Sequence, residues 1–124
     1  MNLLGYAPLL VQGTLMTLAA WLIAGTLSLI IGTTIGVMSC RYLASDRLIM
    51  AVRVYTFIAK GIPAYVQILI AYFVFPALLG INVPAFIAAV GALAFCSSGY
   101  VTEIVRSGIN TIFDCLITRP TPCA

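Results

Sequence analysis

The chain of 124 residues is 63% hydrophobic and only 7% charged, with a mean hydropathy of +1.17, whereas an ordinary soluble domain has about a quarter of its residues charged. Its three acidic and six basic side chains are too few to cover the surface that a water-soluble domain of this length exposes, so lipid is the solvent this composition calls for. The net charge of +3 comes from dispersed cations with no basic stripe, which argues against a nucleic-acid partner; the absence of histidine, and four cysteines (Cys40, Cys96, Cys115, Cys123) without a CxxC pair, argue against a metal or redox centre.

The amino terminus has neither the cationic region nor the cleavage site of a signal peptide, so the first helix is expected to be retained. Charge-free stretches of about 20 residues define membrane spans. The first is placed near 14–38, after an interfacial entry marked by Gly5, Pro8 and Gly13. Within it Gly25, Ser28, Gly32 and Gly36 put small side chains on one face, which suits close helix packing in lipid; glycine is also simply common in membrane helices.

Arg41, Arg47, Arg53 and Lys60 follow, in a connector before the second span at 61–79. Pro63 removes the N–H that would bond the carbonyl of Ala59, so a helix kinks or begins there. Lys60 is expected at the interface, its head reaching for lipid phosphate. Deeper in, the amide of Gln67 needs a partner or a wet cavity, and a structural hydrogen bond and a substrate contact both satisfy that need. Pro76, Gly80, Asn82 and Pro84 close the second span in a turn-rich break that carries no charge.

The third span is placed at 84–102. Its end turns small and polar, and Ser97, Ser98 and Tyr100 together with Gln67 are the candidates for a water-accessible translocation path, although serine also bonds harmlessly to the preceding helical turn. Glu103 and Arg106, three residues apart, can pair on one helix face, and such a surface pair implies no chemistry. The cation-rich connector is cytoplasmic by the positive-inside rule, which sets the amino terminus outside and the end of the third helix inside. The expected architecture is an all-α membrane protein of three transmembrane helices. No nucleophile with its base, no carboxylate pair and no phosphate-binding loop is present, so the chain is not expected to be an enzyme.

Two stretches resemble the permease subunits of polar amino acid ABC importers, of the histidine, glutamine, glutamate and arginine type. Lys60-Gly61-Ile62-Pro63 with Gln67, Tyr72, Phe73 and Pro76 is similar to the family's basic-Gly-Thr-Pro, Gln, Tyr-Phe and Pro pattern, with Ile62 in place of threonine. Gly99-Tyr100-Val101-Thr102-Glu103-Ile104-Val105-Arg106-Ser107-Gly108-Ile109 is similar to Ala-Tyr-x-x-Glu-Ile-x-Arg-Gly-Gly-Ile, departing at Gly99 and Ser107. The first helix matches more loosely, at Gly13, Thr17, Leu18, Gly32 and Gly36. By analogy the resemblance implies an incomplete version of a fold of roughly five helices, in a multi-pass protein of the bacterial inner membrane. It also implies pairing with a second permease subunit, delivery of solute by an extracytoplasmic binding protein, and ATP hydrolysis by a separate cytoplasmic subunit, with no cofactor on this chain.

The likeness runs through residues 1–112, and 113–124 is expected to be a divergent, disordered tail. The Gly-Gln-x-Glu-Ala-Ala-x-Ala-Leu-Gly coupling motif of the family is missing after Ile112. Reading the codons of 118–123 one base earlier permits Ala-Ala-x-Ala-Leu, so a frameshift near Ile117 that truncated a longer permease is the expectation here. The competing reading is a small non-transport membrane protein, an assembly subunit or a holin-like pore former. Which amino acid would be carried is not legible in these residues.

Overall fold

The computed structural model describes residues 7–40 and 44–118, and all of its regular structure is helical. Arg41, Gly5 and residues 119–124, on which some expectations fall, lie outside the described residues.

Helix α1 spans Ala7–Met38. It begins earlier than the expected entry because Pro8 sits in the first turn, where its missing N–H costs nothing. Its hydroxyls bond back to their own helix: Thr14 Oγ1 donates to Leu10 O at 2.8 Å and Thr33 Oγ1 to Leu29 O at 2.6 Å, leaving an apolar exterior. Large apolar side chains lie bare, Trp21 at 69% exposure and Leu10 at 67%, which suits hydrocarbon and not water.

The connector is not an open loop. Residues Asp46–Gly61 form α2, with Val52, Thr56 and Ala59 buried. The second expected span, 61–79, corresponds to the helical stretch Ala64–Leu79, which meets α2 at a bend of 97° beside Pro63, the expected place of a kink or a helix start. That stretch comprises α3 (Ala64–Leu69), a π-helical turn (Ile70–Val74) and α4 (Phe75–Leu79). The wider turn falls just before Pro76, whose lack of an N–H disturbs the ladder there. Gly80 ends the run at φ 65°, a left-handed cap that favours glycine, with its N–H on Pro76 O at 2.9 Å.

Helix α5 spans Ala85–Thr118, 16 residues beyond the expected end at Thr102. Residues 113–118, expected to be disordered, are helical. Ile109, Ile112, Phe113 and Leu116 keep a helical apolar spacing, and no proline intervenes before Pro120. Two helices, α1 and α5, are long and apolar enough to cross a membrane, and a third crossing exists if the bent pair counts as one.

α1 and α5 form the main packing seam. Ala24 packs with Val90 and Ala94. Further along, an added Cβ on Gly32 would lie 2.6 Å from Val101 Cβ, and one on Gly36 would lie 2.8 Å from Val105 Cβ. The partners on both helices rise together in number, so α1 and α5 run parallel. The buried row is Ala24, Ser28, Gly32 and Gly36, at steps of four residues. Gly25, expected on this face, is one residue off that row, and a Cβ there would meet nothing within 4 Å.

Candidate functional site

The two family-like stretches, far apart in sequence, meet at the elbow between α2 and α3. Its origin is Pro63. The residue before a proline is pushed out of the helical region, and Ile62 sits at φ −94°, ψ 126°. The proline cannot donate to Ala59 O, and the side chain of Gln67 takes over: Nε2 donates to Ala59 O and to Ile62 O, both at 2.9 Å. Of the two roles that sequence left open for Gln67, a structural hydrogen bond and a substrate contact, the structure shows its amide N–H donors on the backbone. Gln67 Oε1 is buried with no partner, and the residue borders a cavity of about 560 Å³ lined mainly by apolar side chains of the elbow and α5, Ile62, Ile70, Ile87 and Phe95 among them.

Gly99 lets the end of α2 settle on α5. A Cβ there would come within 2.8 Å of Ala59 Cβ, and Ala59 is fully buried. This is one of the two positions at which the sequence departs from the alanine-led family pattern, and the departure permits a closer approach. One turn back along α2, Tyr55 OH and Ser98 Oγ are 2.6 Å apart. The Ser98 hydroxyl also donates to Phe95 O at 2.7 Å, so its single proton is used and Tyr55 is the donor of the pair. The Tyr55 ring meets Phe95 edge-on, 5.4 Å between centroids at 84°.

On the same side, Lys60 Nζ pairs with Glu103 Oε2 across the two helices and lies 5.7 Å from the centre of the Tyr100 ring. The side chains of the pair are 27% and 45% exposed, so it is an accessible polar feature in otherwise apolar surroundings. Arg106, three residues on, could also reach Glu103 along the helix, but the structure pairs Glu103 with the α2 ammonium, which Gly99 brings close. Arg106 instead borders a second cavity with Ser39, Arg53 and Ser107.

The four path candidates do not converge. Ser98 is fully buried between α2 and α5, and Ser97 is exposed on another face of the helix. Tyr100 is 52% exposed beside Lys60, and Gln67 is buried in the elbow. Among the other motif positions, Gly61 and Gly108 face open space, and Tyr72 packs edge-on against Phe73. Sequence reading missed Tyr55, which carried no signal apart from its place on an amphipathic helix. The Lys60–Glu103 pair had a signal: both charges border apolar stretches at the same expected side of the membrane.

Comparison with known proteins extends these two motifs to nearly the whole chain. It is 37% identical over 115 residues, 90% of its length, to a glutamine transport system permease protein, GlnP, of Rickettsia prowazekii. It is 35% identical over 105 residues to the arginine transport system permease protein ArtQ of Bacillus subtilis, which it covers to 47%. A crystal structure of an amino acid ABC transporter with histidines superimposes with a TM-score of 0.79 at 35% identity, over 90% of this chain and 50% of that one. No protein-family model matches the chain. The chain spans about half the length of the curated relatives it matches.

Proposed function

We propose, for a chain that is homologous along most of its length to the permease subunits of polar amino acid ABC transporters, that it forms part of the membrane path of an amino acid importer. The observation that carries this reading is the meeting of the two motifs: the Lys60–Pro63 elbow, tied by Gln67, lies on the Tyr100–Glu103 stretch of α5. Similarity of this extent favours a transport subunit over a small non-transport membrane protein.

The proposed topology has three crossings. Because α1 and α5 run parallel, the chain between them has to return. α2 and then α3–α4 share cavities with α5 from the level of Arg106 back to Ile87, a rise of about 29 Å at ~1.5 Å per residue, close to the hydrocarbon thickness of about 30 Å. Arg47, Arg53 and Lys60 set the α2 side in the cytoplasm, in a bacterial inner membrane.

Within this reading Lys60, Tyr100 and Glu103 are the polar groups open to a solute, with Ser97 on the exposed side of α5; Gln67 and Ser98 hold the elbow in place. An amino acid carries an ammonium and a carboxylate, and an accessible ion pair offers a counter-charge to each. The partners are a second permease subunit, a solute-binding protein outside and an ATPase subunit inside, the last being where ATP is hydrolysed. The test is co-expression with the ATPase and binding-protein subunits of an amino acid ABC system. ATP-dependent uptake of labelled glutamine or arginine is expected, with co-purification of the ATPase; ion leak by this chain alone, with neither uptake nor ATPase capture, overturns the proposal.

A further inference from the structure

We propose that the cavity between α2 and α5, bordered by Arg53 and Arg106, is a binding site for a phosphate group at the inner edge of the membrane. The cavity has a volume of about 400 Å³ and is lined by Ser39, Ile49, Arg53, Arg106, Ser107 and Asn110. Two arginines therefore border one space. The chain has three acidic side chains, Asp46, Glu103 and Asp114. None lines this cavity, and Glu103 is engaged by Lys60. Two like charges around a common space that, among the described residues, no acidic side chain lines raise the potential there and favour an anion from outside.

The other donors narrow the chemistry. The Ser39 hydroxyl donates to Gly36 O at 3.1 Å and that of Ser107 to Ile104 O at 3.1 Å, so both protons are already used. The amide of Asn110 also borders the space, and the charged part of the recognition falls to the two arginines, whose guanidinium forks match the several acceptor oxygens of a phosphate. Depth selects the same ligand. Ser39 follows the last turn of α1, and Arg106 lies beyond Glu103 on α5, so the cavity opens at the end of the helices that carries the cations. At that level of a bilayer, phosphate headgroups are abundant, and basic pockets between helices on the cytoplasmic side are where anionic lipids dock. Ile49 adds an apolar wall against which the glycerol part of a lipid fits. The inference rests on the orientation proposed above and not on transport itself.

The test uses the full chain in vesicles containing spin-labelled phosphatidylglycerol or phosphatidylcholine. The motionally restricted fraction is expected to favour phosphatidylglycerol by about five-fold or more. Arg53→Gln with Arg106→Gln should bring that preference close to that of phosphatidylcholine, and Arg47→Gln, a cation outside the cavity, should leave it intact. If the pair of substitutions prevents folding, Arg53→Gln alone carries the test, because Arg53 is exposed. A second arm titrates inorganic phosphate into the chain in zwitterionic detergent; a rise in Tm that the double variant abolishes names free phosphate as the source, and lipid selectivity without such a rise names the headgroup. Unchanged lipid preference in the double variant with no phosphate-dependent rise overturns the site. So does loss of ATPase-subunit capture as the double variant's only defect, which would make the arginines a protein contact. Failure of uptake with lipid selectivity intact would instead count against the transport reading alone.

Discussion

Along the seam of α1 and α5, Gly32 and Gly36 bring backbone against Val101 and Val105, and among the described residues no side-chain hydrogen bond crosses between the two helices. At the elbow polar side chains add to a close approach at Gly99: the Lys60–Glu103 pair and the Tyr55–Ser98 bond join α2 to α5, and the two hydrogen bonds of Gln67 tie α3 to the broken backbone at the end of α2. In lipid the first kind of contact draws on van der Waals packing and depends on the absence of side chains. The second depends on their presence. The seam of α1 and α5 is thus held by shape, and the 97° bend is held by specific polar partners.

The comparison breaks first at the seam. Gly32→Leu would drive a side chain into Val101 and into Ser98 O, which lies 2.9 Å from where a Cβ would sit. A loss of about 3 kcal/mol or more is expected in detergent-titrated unfolding. At the elbow, Gln67→Leu leaves the carbonyls of Ala59 and Ile62 without their donor, for an expected loss of about 1–3 kcal/mol by the same measurement. Tyr55→Phe keeps the ring against Phe95 and removes one hydrogen bond; about 1 kcal/mol is expected. The ion pair is sharpened by a double-mutant cycle. Lys60→Ala and Glu103→Ala each strand a partner, and the double variant should be less damaged than the two single effects summed, with a coupling of about 1 kcal/mol or less because the pair is part-exposed. Smallest is Gly25→Ala, off the packed row, expected to be neutral or to stabilise by up to about 1 kcal/mol through helix propensity.

Much of this was legible because lipid leaves few options. Long charge-free stretches become helices, and a small-residue row becomes a seam, since a backbone in hydrocarbon has to satisfy itself. Which row, Gly25 or Ala24, was decided by the step of four residues between α1 and α5, a feature of both helices that neither sequence stretch carries by itself. The break at Pro63 was visible from its lost donor; that Gln67 repairs it follows from a turn that folds its amide back over Ala59. The helical identity of Asp46–Gly61 was hidden because its cations read as a topology marker, while its apolar face became meaningful only with α5 as a partner. The pairing of Glu103 with Lys60 over Arg106 likewise depended on the close approach at Gly99.

The central claim is that α1 and α5 run parallel through the membrane, with the bent pair making a single return. In a cysteine-free background, single cysteines at Arg47, Asn82 and Leu116, all exposed positions, are treated with an impermeant maleimide on intact cells. Labelling of Asn82 in intact cells, and of Arg47 and Leu116 only after permeabilisation, is predicted. Arg47 and Asn82 reacting from the same side would contradict the return crossing, and with it the account of how the elbow meets α5.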